Sequence, residues 1–149
     1  MAALLAALIL QSIFTGACED KTPTAPTPAP MTVTGRWATD IPVQGVTTRM
    51  TWQLTQADSS VTGPVLVGVN SGTILLNGVL SGTLTGSSLA YTITVNPGGV
   101  PSQTSCAGQL GGIMIVNIGA VSTMVGPMSV ISTNCSIQFP GSNLTLTRQ

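Results

Sequence analysis

The side chains that could do chemistry in this chain are few. They are three cysteines, Cys18, Cys106 and Cys135, and four carboxylates, Glu19, Asp20, Asp40 and Asp58. There is no histidine among the 149 residues. General acid–base catalysis needs a group that titrates near neutrality. Beyond residue 30 only Asp40 and Asp58 could be tuned to do so. Asp58 begins Asp58-Ser59-Ser60, a turn sequence in which the carboxylate hydrogen-bonds the backbone. Asp40 is expected in the loop after a first strand. Their spacing gives no support for the paired carboxylates of glycoside hydrolysis. The serines have no accompanying base and no Gly-x-Ser-x-Gly elbow. Gly108-Gln109-Leu110-Gly111-Gly112 has no following lysine or helix to make a phosphate loop. Two thiols without histidine cannot complete a tetrahedral metal site, and no acidic cluster offers a hard cation its ligands. The expectation is a protein that is not an enzyme and holds no metal or cofactor.

Charge narrows the partners. Charged residues make up 5% of the chain and cancel to a net charge of zero, against about 25% charged residues in ordinary soluble domains. No basic field exists to hold a phosphate backbone, which excludes nucleic acid. Disorder requires low hydrophobicity with high net charge, yet 43% of the chain is apolar. No stretch after residue 17 approaches the length of a membrane-spanning helix.

Cys18 belongs to a different context from the other two cysteines. Residues 2–10 form a short apolar block, and Thr15-Gly16-Ala17-Cys18 follows. An apolar block before small residues reads as a secretory signal. Ending it on cysteine resembles the bacterial lipoprotein signal, which implies lipidation at Cys18 and removal of residues 1–17. Two positions depart from that pattern. Thr15 stands where leucine is commonest, and no Lys or Arg precedes the block. Residues 18–30 carry four prolines and no apolar pattern, so they form an extended tether. At about 3.1 Å per residue it would hold the domain some 35–40 Å from the bilayer. The chain is thus expected in the cell envelope, held to a bacterial membrane and facing the periplasm or the cell surface. Plain secretion with an incidental cysteine, or a short uncleaved anchor, is the alternative.

Export also decides the expectation for Cys106 and Cys135. In an oxidising compartment two remaining cysteines pair. The loop closed would contain about 30 residues, a constraint of roughly 3–4 kcal/mol on the chain-entropy estimate.

Residues 31–149 must then supply the domain. Period-2 alternation recurs in about eight runs. Met50, Trp52 and Leu54 alternate with Arg49, Thr51, Gln53 and Thr55. Leu76, Leu80 and Leu84 share a face with Gly78, Gly82 and Gly86. Leu89, Tyr91, Ile93 and Val95 share another. Two longer runs cover about 104–117 and 120–131, and the last ends at Arg148. Short connections imply antiparallel neighbours. The expected fold is all-β, an eight-stranded meander closing into an up-and-down barrel. An open two-sheet sandwich is the alternative.

Gly35-Arg36-Trp37 on the first strand resembles the Gly-x-Trp motif of the calycins, the lipocalins, fatty-acid-binding proteins and avidins. The resemblance implies that Trp37 closes one barrel end and that a basic residue of the last strand, here Arg148, packs across it. The run of strand, loop, strand and tight turn is similar to avidin, but the chain has no tryptophan after Trp52 and no acid after Asp58. Biotin binding is therefore not expected. Three non-enzymatic readings follow. One is an anchored calycin-like barrel that binds a small apolar ligand or an envelope component. Another is a protein-binding module such as a periplasmic protease inhibitor. The third is a small integral outer-membrane barrel, which requires lipid-facing apolar strands and aromatic girdles. The chain has five aromatic residues in all for those girdles.

Overall fold

The computed structural model describes residues 31–43, 45–69, 71–136 and 141–149. Cys18, the signal and the tether lie outside these. The described chain forms eight antiparallel strands: β1 (Gly35–Val43), β2 (Val46–Ala57), β3 (Ser60–Gly68), β4 (Ile74–Thr85), β5 (Ser88–Val95), β6 (Gly108–Asn117), β7 (Thr123–Thr133) and β8 (Ser142–Arg148). Each pairs with the next, and β8 pairs with β1, so the sheet is a closed barrel rather than a sandwich. Closure leaves no exposed sheet edge along the meander. The seam is short, however. Only Trp37 pairs with Arg148 and Ala38 with Thr147, whereas β1 pairs with β2 from end to end.

The inner wall follows the alternation. Met50, Trp52 and Leu54 of β2 point in, as do Leu76, Leu80 and Leu84 of β4 and Leu89, Tyr91, Ile93 and Val95 of β5. Gly78 and Gly82 lie within β4 between the leucines, but Gly86 is in the β4–β5 turn at φ 57°. The outer wall mixes threonine and serine with exposed aliphatics, among them Leu66, Val79, Ile113 and Ile115.

Three strands carry an internal proline, which a central strand normally rejects; Pro42 of β1 lies where β8 no longer pairs, and the other two are in β3 and β7. In β3 it follows Gly63 and in β7 it follows Gly126. The β2–β3 ladder is interrupted at Gly63-Pro64 and the β6–β7 ladder at Gly126-Pro127, so the missing proline N–H costs no ladder bond. A Cβ on Gly63 would collide with the Gln53 carbonyl oxygen, and one on Gly126 with that of Ile113. These Gly-Pro pairs sit four strands apart in an eight-stranded ring, where close backbone approach lets the sheet coil tightly.

The meander sorts its connections to two ends. The entry end receives residues 31–34 and holds the β2–β3, β4–β5 and β6–β7 turns with the end of β8. The far end holds the β1–β2 turn, the 96–107 loop and, of the longer connections, the described residues 71–73 and 134–136. β6 starts at Gly108, later than the alternation suggests, because Cys106 is tied to Cys135 and the Ala107 N–H donates to the Asn134 side chain at 2.7 Å.

Candidate functional site

At the entry end the sequence-expected trio comes together. Gly35 has φ 131°, a conformation open to glycine. A Cβ there would also lie 3.3 Å from Arg148 Nε. The Arg148 guanidinium covers the Trp37 ring at 5.5 Å from its centroid and donates to the Thr34 carbonyl. Trp37 is fully buried, and its Nε1–H donates to the Val33 carbonyl at 2.8 Å. Sequence reasoning passed over Gln56, which belts this end. Its Oε1 accepts from the Val33 N–H at 2.9 Å, and its Nε2 donates to the Met31 and Asp58 carbonyls. A glutamine on the inward face of an apolar strand was the available signal.

At the far end Cys106 and Cys135 form a disulfide with Cα atoms 4.8 Å apart. The 96–107 loop turns inward there, with Val100 and Cys106 buried. The Asn77 N–H donates to the Gly99 carbonyl at 2.6 Å, which holds the loop down on β4.

Between the ends the barrel is packed. Trp52 and Tyr91 meet in a tilted pair with ring centroids 5.0 Å apart. The Tyr91 hydroxyl donates to the Pro127 carbonyl at 3.1 Å, one of the groups freed by the interrupted β6–β7 ladder. Burial pushes the Tyr91 phenol well above its ordinary value. The Trp52 indole N–H, also buried, has no hydrogen-bond partner among the described residues. Among the described residues a small, partly open pocket beneath the far end, against Leu76, Val95 and Leu110, offers about 20 Å³, room for about one water. The larger depressions are open surface. One of about 560 Å³ lies at the far end between Asn96, Gln109 and Asn134. Another of about 330 Å³ runs beside Arg36, Arg49, Leu66 and Ile74.

The two carboxylates are not brought together. Asp40 lies within β1, not in a loop after it, and faces Arg49 of β2 at 3.4 Å. Asp and Pro42 suggest a turn, but here β1 has left its pairing with β8 and its outer edge tolerates the proline. Asp58 sits in the β2–β3 turn at φ 53°. It is nine residues beyond Arg49 along β2, about 30 Å at strand rise, far outside the range of a carboxylate pair. Every charge of the barrel lies on β1, β2, the β2–β3 turn or β8. From Ser59 to Thr147 the sequence has none.

Comparisons with protein-family models, curated proteins and solved structures find no match to this chain.

Proposed function

We propose that the protein is a lipid-anchored component of a bacterial envelope, held at Cys18, whose calycin-like barrel is non-catalytic and binds an envelope component through its outer surface. The packed interior carries this reading. Ligand pockets usually run about 300–1,000 Å³, whereas the strands' inward side chains form one continuous buried cluster and the pocket at its far end offers about 20 Å³. The integral-barrel alternative is opposed by the polarity of the walls. Membrane barrels face lipid with apolar residues and keep a polar interior, whereas this interior is apolar and the outer wall mixes hydroxyls with aliphatics. The packing of Arg148 over Trp37 and the positive φ of Gly35 support the calycin-like reading.

The surface available to a protein partner is the far end. Its open depression is lined by Thr94, Asn96, Gln109, Ser132 and Asn134, and the disulfide stiffens the loops around it. Such a rigid, polar, uncharged rim recognises through hydrogen bonds and shape and needs no electrostatic steering.

Native mass spectrometry of the full chain extracted from its own envelope in mild detergent tests the proposal. The expected species begins at an acylated Cys18 and carries no further small molecule. A stoichiometric apolar adduct beyond the acyl chains would overturn the surface-binding reading. A chain that stays in the soluble fraction with an unmodified Cys18 would overturn the anchor.

A further inference from the structure

The β6–β7 turn, residues 118–122, lies at the entry end, and contacts fix it there. The Ser122 carbonyl accepts from the Arg148 N–H at 3.0 Å, and the Arg148 side chain reaches the Thr34 carbonyl where the chain comes in. Solvent-facing turns favour Gly, Asn, Asp and Ser. This one presents Ile118, 46% exposed, and Val121, at 68% the most exposed large aliphatic among the described residues. The strip continues up the wall. Ile113 and Ile115 face outward on β6, and Ile115 is paired with an outward Val125 on β7. Single surface aliphatics need no explanation, but a contiguous strip does.

The chain outside the described residues indicates what covers it. Thirteen residues run from Cys18 to Pro30 before Met31 enters the barrel, and an extended tether of that kind reaches about 40 Å at most. With Cys18 in a bilayer, which is the anchoring reading proposed above and on which this inference rests, the entry end is the end held near lipid. β5, β6, β7 and their turns carry no charge that contact would strip of water. We propose that the β6–β7 turn is a membrane-contact site, with Ile118 and Val121 seated in the bilayer interface. Amphipathic elements of this kind sit about 5–10 Å into the headgroup boundary. The tether's length confines the tip to within about 40 Å of the bilayer, and on this proposal the tether lies along the surface instead of fully extended. A contact too weak to bind vesicles alone then persists once the chain is anchored. The far end is thereby turned away from the membrane, towards a partner.

The test uses the full lipidated chain in vesicles of phosphatidylcholine and phosphatidylethanolamine. An environment-sensitive fluorophore is attached through A120C at the tip or V46C at the far end, and a nitroxide lipid serves as quencher. Quenching at 120 is expected to be several-fold greater than at 46. Ile118→Asp with Val121→Asp should abolish that contrast while flotation persists. Equal quenching at both positions, or a contrast untouched by the double substitution, would overturn the proposal. So would a fluorescence change at 120 that follows protein concentration and not vesicles, which would assign the strip to a second copy. Flotation lost on Cys18→Ser reads the anchor separately, so the two readings fail in different measurements.

Discussion

The two ends of this barrel are shut by different means. The entry end is closed by side chains alone: Trp37 under Arg148, with Gln56 belting residues 31–34 to the end of β2. The far end is closed by a long loop held down by a disulfide. The difference follows the sheet. At the entry end lies the β1–β8 seam, where only two residue pairs join the first and last strands. The stack of Arg148 on Trp37 adds a side-chain bond across the same two strands where the ladder is shortest. At the far end β1 has separated from β8, and the bridge ties the loops that flank β6 and β7 instead. One end therefore closes the ring, and the other holds a lid.

Breaking the ring should cost most. Trp37→Ala removes a fully buried ring, its hydrogen bond to Val33 and the stack in one step. A loss of about 3–5 kcal/mol is expected, typical of buried aromatic truncations, read as the shift in urea midpoint. A loss under about 1 kcal/mol would mean that the seam does not depend on this closure. Removing the lid's bond, as Cys106→Ala with Cys135→Ala, should cost roughly 3–4 kcal/mol by loop entropy. The two lesions lie at opposite ends without shared partners, so their costs should add to within about 0.5 kcal/mol. Marked non-additivity would show that the ends are mechanically one.

Within the entry end the reverse holds. Arg148→Met keeps the aliphatic stem and removes the charge. It should cost about 0.5–2 kcal/mol, the range of a cation–π contact. In a Trp37→Leu background the same change should cost less, because the partner ring is gone and only the hydrogen bond to the Thr34 carbonyl is lost. Equal costs in both backgrounds would reduce the contact to simple covering of the barrel mouth.

How much of this could be read from the sequence depended on the residue. Alternation placed the β2, β4 and β5 core correctly, because a period of two leaves no choice of face once one side is buried. The closure trio was legible because Gly35 and Trp37 share a face on the first strand and Arg148 ends the last. The disulfide was legible because only two cysteines remained once Cys18 was set aside. Asp40 was misplaced, since Asp and Pro signal turns and nothing local reveals that β1 outlasts its pairing with β8. Pro64 and Pro127 carried no visible meaning until the ladders showed interruptions beside them. The filled interior was not decided by pattern either. Inward Leu and Val are compatible with a cavity or a packed core, and the meeting of Trp52 and Tyr91 inside one continuous buried cluster distinguishes them.

Tyr91 turns the comparison of ends into a measurement of which end admits water. It is the single tyrosine of the chain, so its phenolate absorbance is unambiguous. Burial raises its pKa in the folded barrel, while the unfolded chain titrates near the ordinary value of about 10. Above that pH the unfolded state has lost a proton that the folded state keeps. Stability is therefore full below pH 10 and falls as pH rises beyond it. In the intact protein, phenolate should appear only together with unfolding. Tyr91→Phe should remove that alkaline loss at a cost of about 0.5–1.5 kcal/mol at neutral pH, for the hydrogen bond to Pro127. Opening the lid by reducing the disulfide, or opening the ring by Trp37→Leu, should each lower the pH at which phenolate appears. The larger shift identifies the end through which water reaches the core. The ring lesion is expected to give it, because the seam can part, whereas the lid remains held by the Gly99–Asn77 bond and the buried Val100. A phenolate signal in the intact barrel at pH 10, without unfolding, would contradict the packed interior on which the proposed surface binding rests.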